Sequence, residues 1–121
     1  MNIPKRLLNL DRQRQVPEHF SWVDHRLVQE HTIEKADVTA WALYLFLVTV
    51  ADAQGLSYYG DASLMRRLHL TPERLARART DLIHLDLIAY DPPLYQVLSW
   101  PESVPIATRI ARLHAILRTS S

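Results

Sequence analysis

The chain of 121 residues contains no cysteine. That excludes a disulfide framework and any thiolate-ligated metal, and it fits a reducing compartment such as the cytoplasm. Glycine is nearly as scarce. Only Gly55 and Gly60 occur, so no glycine-rich loop is available to cradle a phosphate. No apolar run reaches the ~20 residues of a membrane span. The most apolar stretch, 40–51, is closed by Asp52. The basic start at 1–15 lacks the apolar segment that a secretory signal would place after it, which points away from export. A charge excess of either sign is missing too. The net charge is only +1, so any attraction for nucleic acid must come from a local patch.

The residues that are present fit one globular domain. The apolar fraction is 48%, and a chain of this size buries roughly 65% of its unfolded surface, enough for a single core. There is no internal repeat and no low-complexity tract. Residues 1–16, with Lys5, Arg6, Arg12 and Arg14, read as a flexible basic arm, in which Leu7, Leu8 and Leu10 are candidates to dock. Pro17 ends it, and 17–121 form the domain.

Start and stop signals divide that domain. Ser21, with Asp24 three residues on, predicts a capped helix over 22–30. Asp37 predicts the start of a helix over 38–53, which is apolar on every side and so expected to be buried on every side, with Trp41 and Phe46 in the core. Gln54 and Gly55 end it. Leu56 to Tyr59 predicts a short strand, with Tyr58 and Tyr59 packing it against the later hairpin rather than stacking on bases. A helix over 61–68 leads through His69 and Leu70 into Thr71-Pro72-Glu73, an N-cap, a proline at the first helical position and an acid facing the positive helix end. In the helix that this cap opens, Leu75, Ala78, Leu82 and Leu85 recur at helical spacing. Strands over 87–90 and 94–100 flank Asp91-Pro92-Pro93, whose prolines cannot continue a ladder. A last amphipathic helix over 104–118 carries Ile106, Ile110, Leu113 and Leu117 on one face, with Arg109, Arg112 and His114 largely away from it. It either completes a partner's core or folds back on its own domain.

The segment Ser63-Leu64-x-x-Arg67-Leu68-x-Leu70-Thr71, continued by Leu75-x-x-Ala78-x-x-x-Leu82-x-x-Leu85-x-Leu87-Ile88, resembles winged helix-turn-helix proteins. With Leu43 to Leu47, Asp52 and Gly55 before it, the chain looks like the N-terminal domains of plasmid replication initiators. Its second half is shared with MarR-like and GntR-like regulators. The resemblance covers roughly 36–100. It implies a mainly α fold with a small β-hairpin wing, a helix-turn-helix at 61–85 and a wing at 87–100. It further implies double-stranded DNA as partner and a homodimer, acting as a small transcriptional regulator or as a replication or mobile-element accessory protein. Two positions where such proteins often place glycine hold His69 and Asp86 here, both types that tolerate positive φ. The wing tip lacks Lys and Arg, so it is expected to add little grip on phosphate.

Elementary geometry leads to the same face. With Leu75, Ala78, Leu82 and Leu85 inward, about 100° per residue turns Glu73, Ala76, Arg77, Thr80 and His84 outward, with Arg74 and Arg79 on the flanks. An arginine near the start of such a helix reaches guanine edges or phosphates. Arg66 and Arg67 on the preceding helix, with Arg79, are placed to hold the backbone, and Thr71 at the cap is a further candidate contact. Against this stands an ordinary solvated face, in which Arg77 pairs with Asp81 one turn on. A second class of function is a winged-helix interaction module of a replication complex with weak or no DNA binding. No enzyme is expected, because Ser21, Asp24 and His25 are neighbours in sequence without triad spacing. His25, His31, His69, His84 and His114 are too scattered for a metal site, and no cofactor is implied.

Overall fold

The computed structural model describes residues 3–101. The expected helix over 104–118 and any dimer contact through it lie outside the described residues. Four α-helices and a small three-stranded antiparallel sheet make up the described part.

The amino-terminal segment is exposed from Ile3 to Val23, and Leu7, Leu8 and Leu10 dock nowhere. Its one regular feature is a 3-10 turn, Leu10–Arg12, whose amides are met by the Asn9 side chain. The first α-helix, α1, is only Arg26–Gln29, not the expected 22–30. Ser21 caps nothing. Asp24 itself starts the helix: its Oδ1 accepts the Arg26 amide at 2.8 Å, and its carboxylate grips the Arg26 guanidinium. Asp24 thus holds the turn just before the N-cap His25, which has no side-chain cap bond, and Trp22 and Val23 stay outside the helix.

Helix α2 runs Val38–Val50, and Asp37 accepts the Ala40 amide at 3.1 Å as its N-cap. Leu43, Tyr44, Leu47 and Val48 enter the core, but the helix is not buried all round. Val38 is 83% and Leu45 61% exposed, and Trp41 and Phe46 are half-buried. One side of α2 packs on the later helix and sheet, and no described residue covers Val38 and Leu45. The helix also stops at Val50 rather than 53. Asp52 Oδ1 accepts the amides of Gln54 and Leu56 at 2.8 and 2.9 Å, a side-chain turn that competes with another helical turn. Gly55 comes next at φ +86, where a Cβ would sit 2.4 Å from the Val97 carbonyl oxygen. Only glycine allows that approach.

The strands are β1 (Leu56–Tyr58), β2 (Ile88–Asp91) and β3 (Leu94–Val97), in the order β1-β3-β2. The expected two-stranded hairpin is thus part of a three-stranded sheet, because β1 pairs antiparallel with the free edge of β3, Ser57 opposite Tyr95. Tyr58 is exposed, whereas Tyr59 packs edge-on against Phe46.

Between β1 and β2 lie α3 (Asp61–Leu68) and α4 (Pro72–His84). His69 ends α3 at φ 55, and Asp86 lies just past α4 at φ 62, the two positive-φ positions anticipated from the sequence. Thr71 Oγ1 accepts the Arg74 amide at 3.2 Å, and Pro72 opens α4. The inward stripe of α4 is Leu75, Ala78 and Leu82, with Leu85 half-buried. It meets Leu43 and Leu47 of α2, Leu64 of α3, and Leu87, Ile88 and Tyr95 around the hairpin in one continuous core. Burying a leucine of this kind contributes about 1.5–3 kcal/mol, so α4 is held as a rigid platform. No helix among the described residues is long and apolar enough to cross a membrane.

Candidate functional site

The outward face of α4 is set by its inward stripe. Glu73, Ala76, Arg77, Thr80 and His84 are all exposed, as the helical period requires once Leu75, Ala78 and Leu82 are buried. Arg66 and Arg67, in the last turn of α3, are exposed as well.

The cations here are not equivalent. Arg66 and Arg77 take no hydrogen bond or ion pair among the described residues, and the expected pairing of Arg77 with Asp81 does not form. Arg67 lies 6.0 Å from the Phe46 ring centroid, a loose cation–π contact that leaves its donors outward. Arg74 is exposed, but its Nη2 donates to Thr39 Oγ1 at 2.8 Å, tying the first turn of α4 to α2. Thr71 uses its hydroxyl oxygen as the cap and keeps the hydroxyl proton to donate.

Arg79 does not belong with the free cations. Its side chain is only 14% exposed. Nε donates to the Tyr95 hydroxyl at 3.0 Å, Nη2 pairs with Asp61 Oδ1 at 2.5 Å, and the guanidinium lies 4.2 Å from the Tyr90 ring centroid. Tyr90 and Tyr95 face each other across β2 and β3 with ring centroids 4.4 Å apart. The residue expected to hold the DNA backbone thus bolts α4 to the hairpin and to the start of α3. Burial disfavours its charge, but the bond to Tyr95 and the nearness of Tyr95, Tyr90 and Asp61 outweigh that and lift its pKa above the usual arginine value. Burial likewise pushes the Tyr95 hydroxyl up to about 12, against the pull of Arg79. Nothing local in the sequence marks this cluster, because Tyr95 and Asp61 lie 16 and 18 residues away.

The hairpin tip, Asp91 to Pro93, is exposed and carries no cation. Asp24 is committed to Arg26, whose bonds to it hold its carboxyl at about 2, so Asp24 is no partner for His25 or Ser21 in a triad. Among the described residues, no three His, Asp or Glu side chains are placed to share a metal ion. The geometry therefore brings Arg66, Arg67, Glu73, Arg74, Arg77, Thr80 and His84 onto the exposed sides of two helices joined by a tight turn, and takes Arg79 out of that group. No family model, no curated protein and no solved structure matches this chain, so its function rests on its own residues.

Proposed function

We propose that the chain is a winged helix-turn-helix protein that binds double-stranded DNA through α4. The observation that carries this reading is the state of Arg77. It stands mid-helix without a partner among the described residues, on a face that also carries Glu73, Thr80 and His84, while the inward stripe of the same helix is locked into the core. A rigid helix with an unpaired arginine and polar neighbours suits insertion into a major groove.

In this reading Arg77 reaches a guanine edge or a phosphate. Thr80 and His84 hydrogen-bond further along the groove, and Glu73 accepts from a cytosine amine. Arg66, Arg67 and Arg74 neutralise phosphates, with Thr71 adding a hydroxyl donor. Arg79 plays no direct part, and the uncharged hairpin tip adds little. The protein would act as a homodimer, as a small transcriptional regulator or as an accessory to replication or a mobile element.

A second reading is an interaction module of a replication complex. It is favoured by Val38 and Leu45, large apolar side chains that share one exposed face of α2.

Fluorescence anisotropy with a mixed-sequence duplex, titrated with salt, separates the two. DNA binding predicts a steep loss of affinity with salt, and a shallower slope with weaker binding for Arg66→Ala/Arg77→Ala. No binding at low salt overturns it in favour of the interaction module.

A further inference from the structure

A second site lies at the far end of α2, away from Arg77. Here the chain encloses a cleft of about 430 Å³ between the segment before α1, the end of α2 and the residues after β3. That volume is in the range of small-molecule sites. Its walls include Phe20, Trp22, Tyr44 and Trp100, with the carboxylates of Asp24 and Asp52.

Three features make this more than a gap. First, one of its aromatic walls is set in place. Trp100 is buried, donates through Nε1 to Glu30 at 3.0 Å and carries the Arg26 guanidinium 5.4 Å from its ring centroid. Trp22 stands 72% exposed beside the mouth. Second, the Tyr44 ring is buried, and its hydroxyl has no hydrogen-bond partner among the described residues and is open to solvent. Burial, with Asp24 nearby, raises its pKa, so it is a neutral donor facing the cleft. Third, the charge is one-sided. Among the described lining residues there is no lysine, arginine or histidine. Asp24 is neutralised by Arg26, but among the described residues Asp52 has no ion pair, and with Oδ1 holding two amides its Oδ2 has no partner there either.

We infer that this cleft binds a small organic cation, an amine or quaternary ammonium on an apolar or aromatic body. The cation would lie against Asp52 and the ring faces of Trp22 and Phe20, and a ligand acceptor would take the Tyr44 hydroxyl. Aromatic faces attract cations through their quadrupole, and unpaired carboxylate repels anions of the same shape. This inference stands whether or not α4 binds DNA.

The test is a titration of the full chain with benzyltrimethylammonium, monitored through the indole N–H resonances of the three tryptophans. Saturable shifts are expected at Trp22 and Trp100, and smaller ones at Trp41, which packs edge-on against Tyr44 but donates to the Ile33 carbonyl outside the cleft. Benzenesulfonate, similar in size and opposite in charge, should bind at least about tenfold more weakly. Asp52→Asn keeps the acceptor that holds the turn and removes the charge, and Trp22→Ala alters an exposed side chain, so both should fold. Each is expected to weaken binding about tenfold, the equivalent of one lost contact of ~1.4 kcal/mol. The inference is overturned by an absence of saturable shifts, by equal binding of the sulfonate, or by wild-type affinity in both variants.

Discussion

The two flanks of α4 meet different surroundings. On the hairpin side, Arg79 is enclosed by Tyr90, Tyr95 and Asp61. On the open side, Arg77, two positions earlier on the same helix, touches nothing described. Residue type and helix are the same, and a turn of about 200° between them separates a structural bolt from a candidate ligand contact. An arginine on a helix is therefore informative only once its flank is known. Of the two, only the unpartnered one still has all its donors to offer.

That contrast can be broken by mutation. The largest effect is expected from Arg79→Ala. It removes a charge-assisted bond, a partly enclosed ion pair and a close cation–π contact, and should cost about 2–4 kcal/mol in urea unfolding. A loss as small as that of an ordinary surface arginine would erase the distinction. Alkali should act at the same place. The Tyr95 hydroxyl titrates near 12 in the folded chain, above its value of about 10 when unfolded. Its contribution is fully present below pH 10 and is lost as pH rises towards 12. The free energy of unfolding should fall by roughly 2 kcal/mol across that window, and Tyr95→Phe should flatten the fall.

Smaller effects sharpen the picture. His69→Gly and Asp86→Gly, at φ 55 and 62, should each stabilise the chain by about 0.5–1 kcal/mol, read as a higher denaturation midpoint. An unchanged midpoint would mean that those side chains hold contacts not identified in the fold. The smallest change in stability belongs to Arg77→Ala, within about 0.5 kcal/mol of wild type, although it should weaken DNA binding.

Much of this arrangement could be read from local signals. Asp37, and Thr71 with Pro72, set the starts of α2 and α4, because caps act through residues close in sequence. The positive φ of His69 and Asp86 followed from the resemblance instead, at positions where winged helix-turn-helix proteins often place glycine. The inward stripe of α4 was legible because its leucines alternate with polar residues. Helix α2 offered no such contrast: apolar throughout, its pattern could not say that Val38 and Leu45 face outward. Asp24 departs from the capping-box pattern because its carboxylate binds the Arg26 amide and guanidinium just ahead of a helix that begins only at Arg26. Least legible was the bolt at Arg79, whose partners meet it only after the hairpin folds over α4.

The most direct test of the central claim is chemical-shift mapping of the isotope-labelled chain on addition of a short duplex. DNA binding through α4 predicts shifts at the α4 amides from Glu73 to His84 and at the Arg77 Nε–H, lesser ones at Arg66 and Arg67, and an unmoved Arg79 Nε–H. Shifts centred on Val38 and Leu45, or none at all, would contradict it.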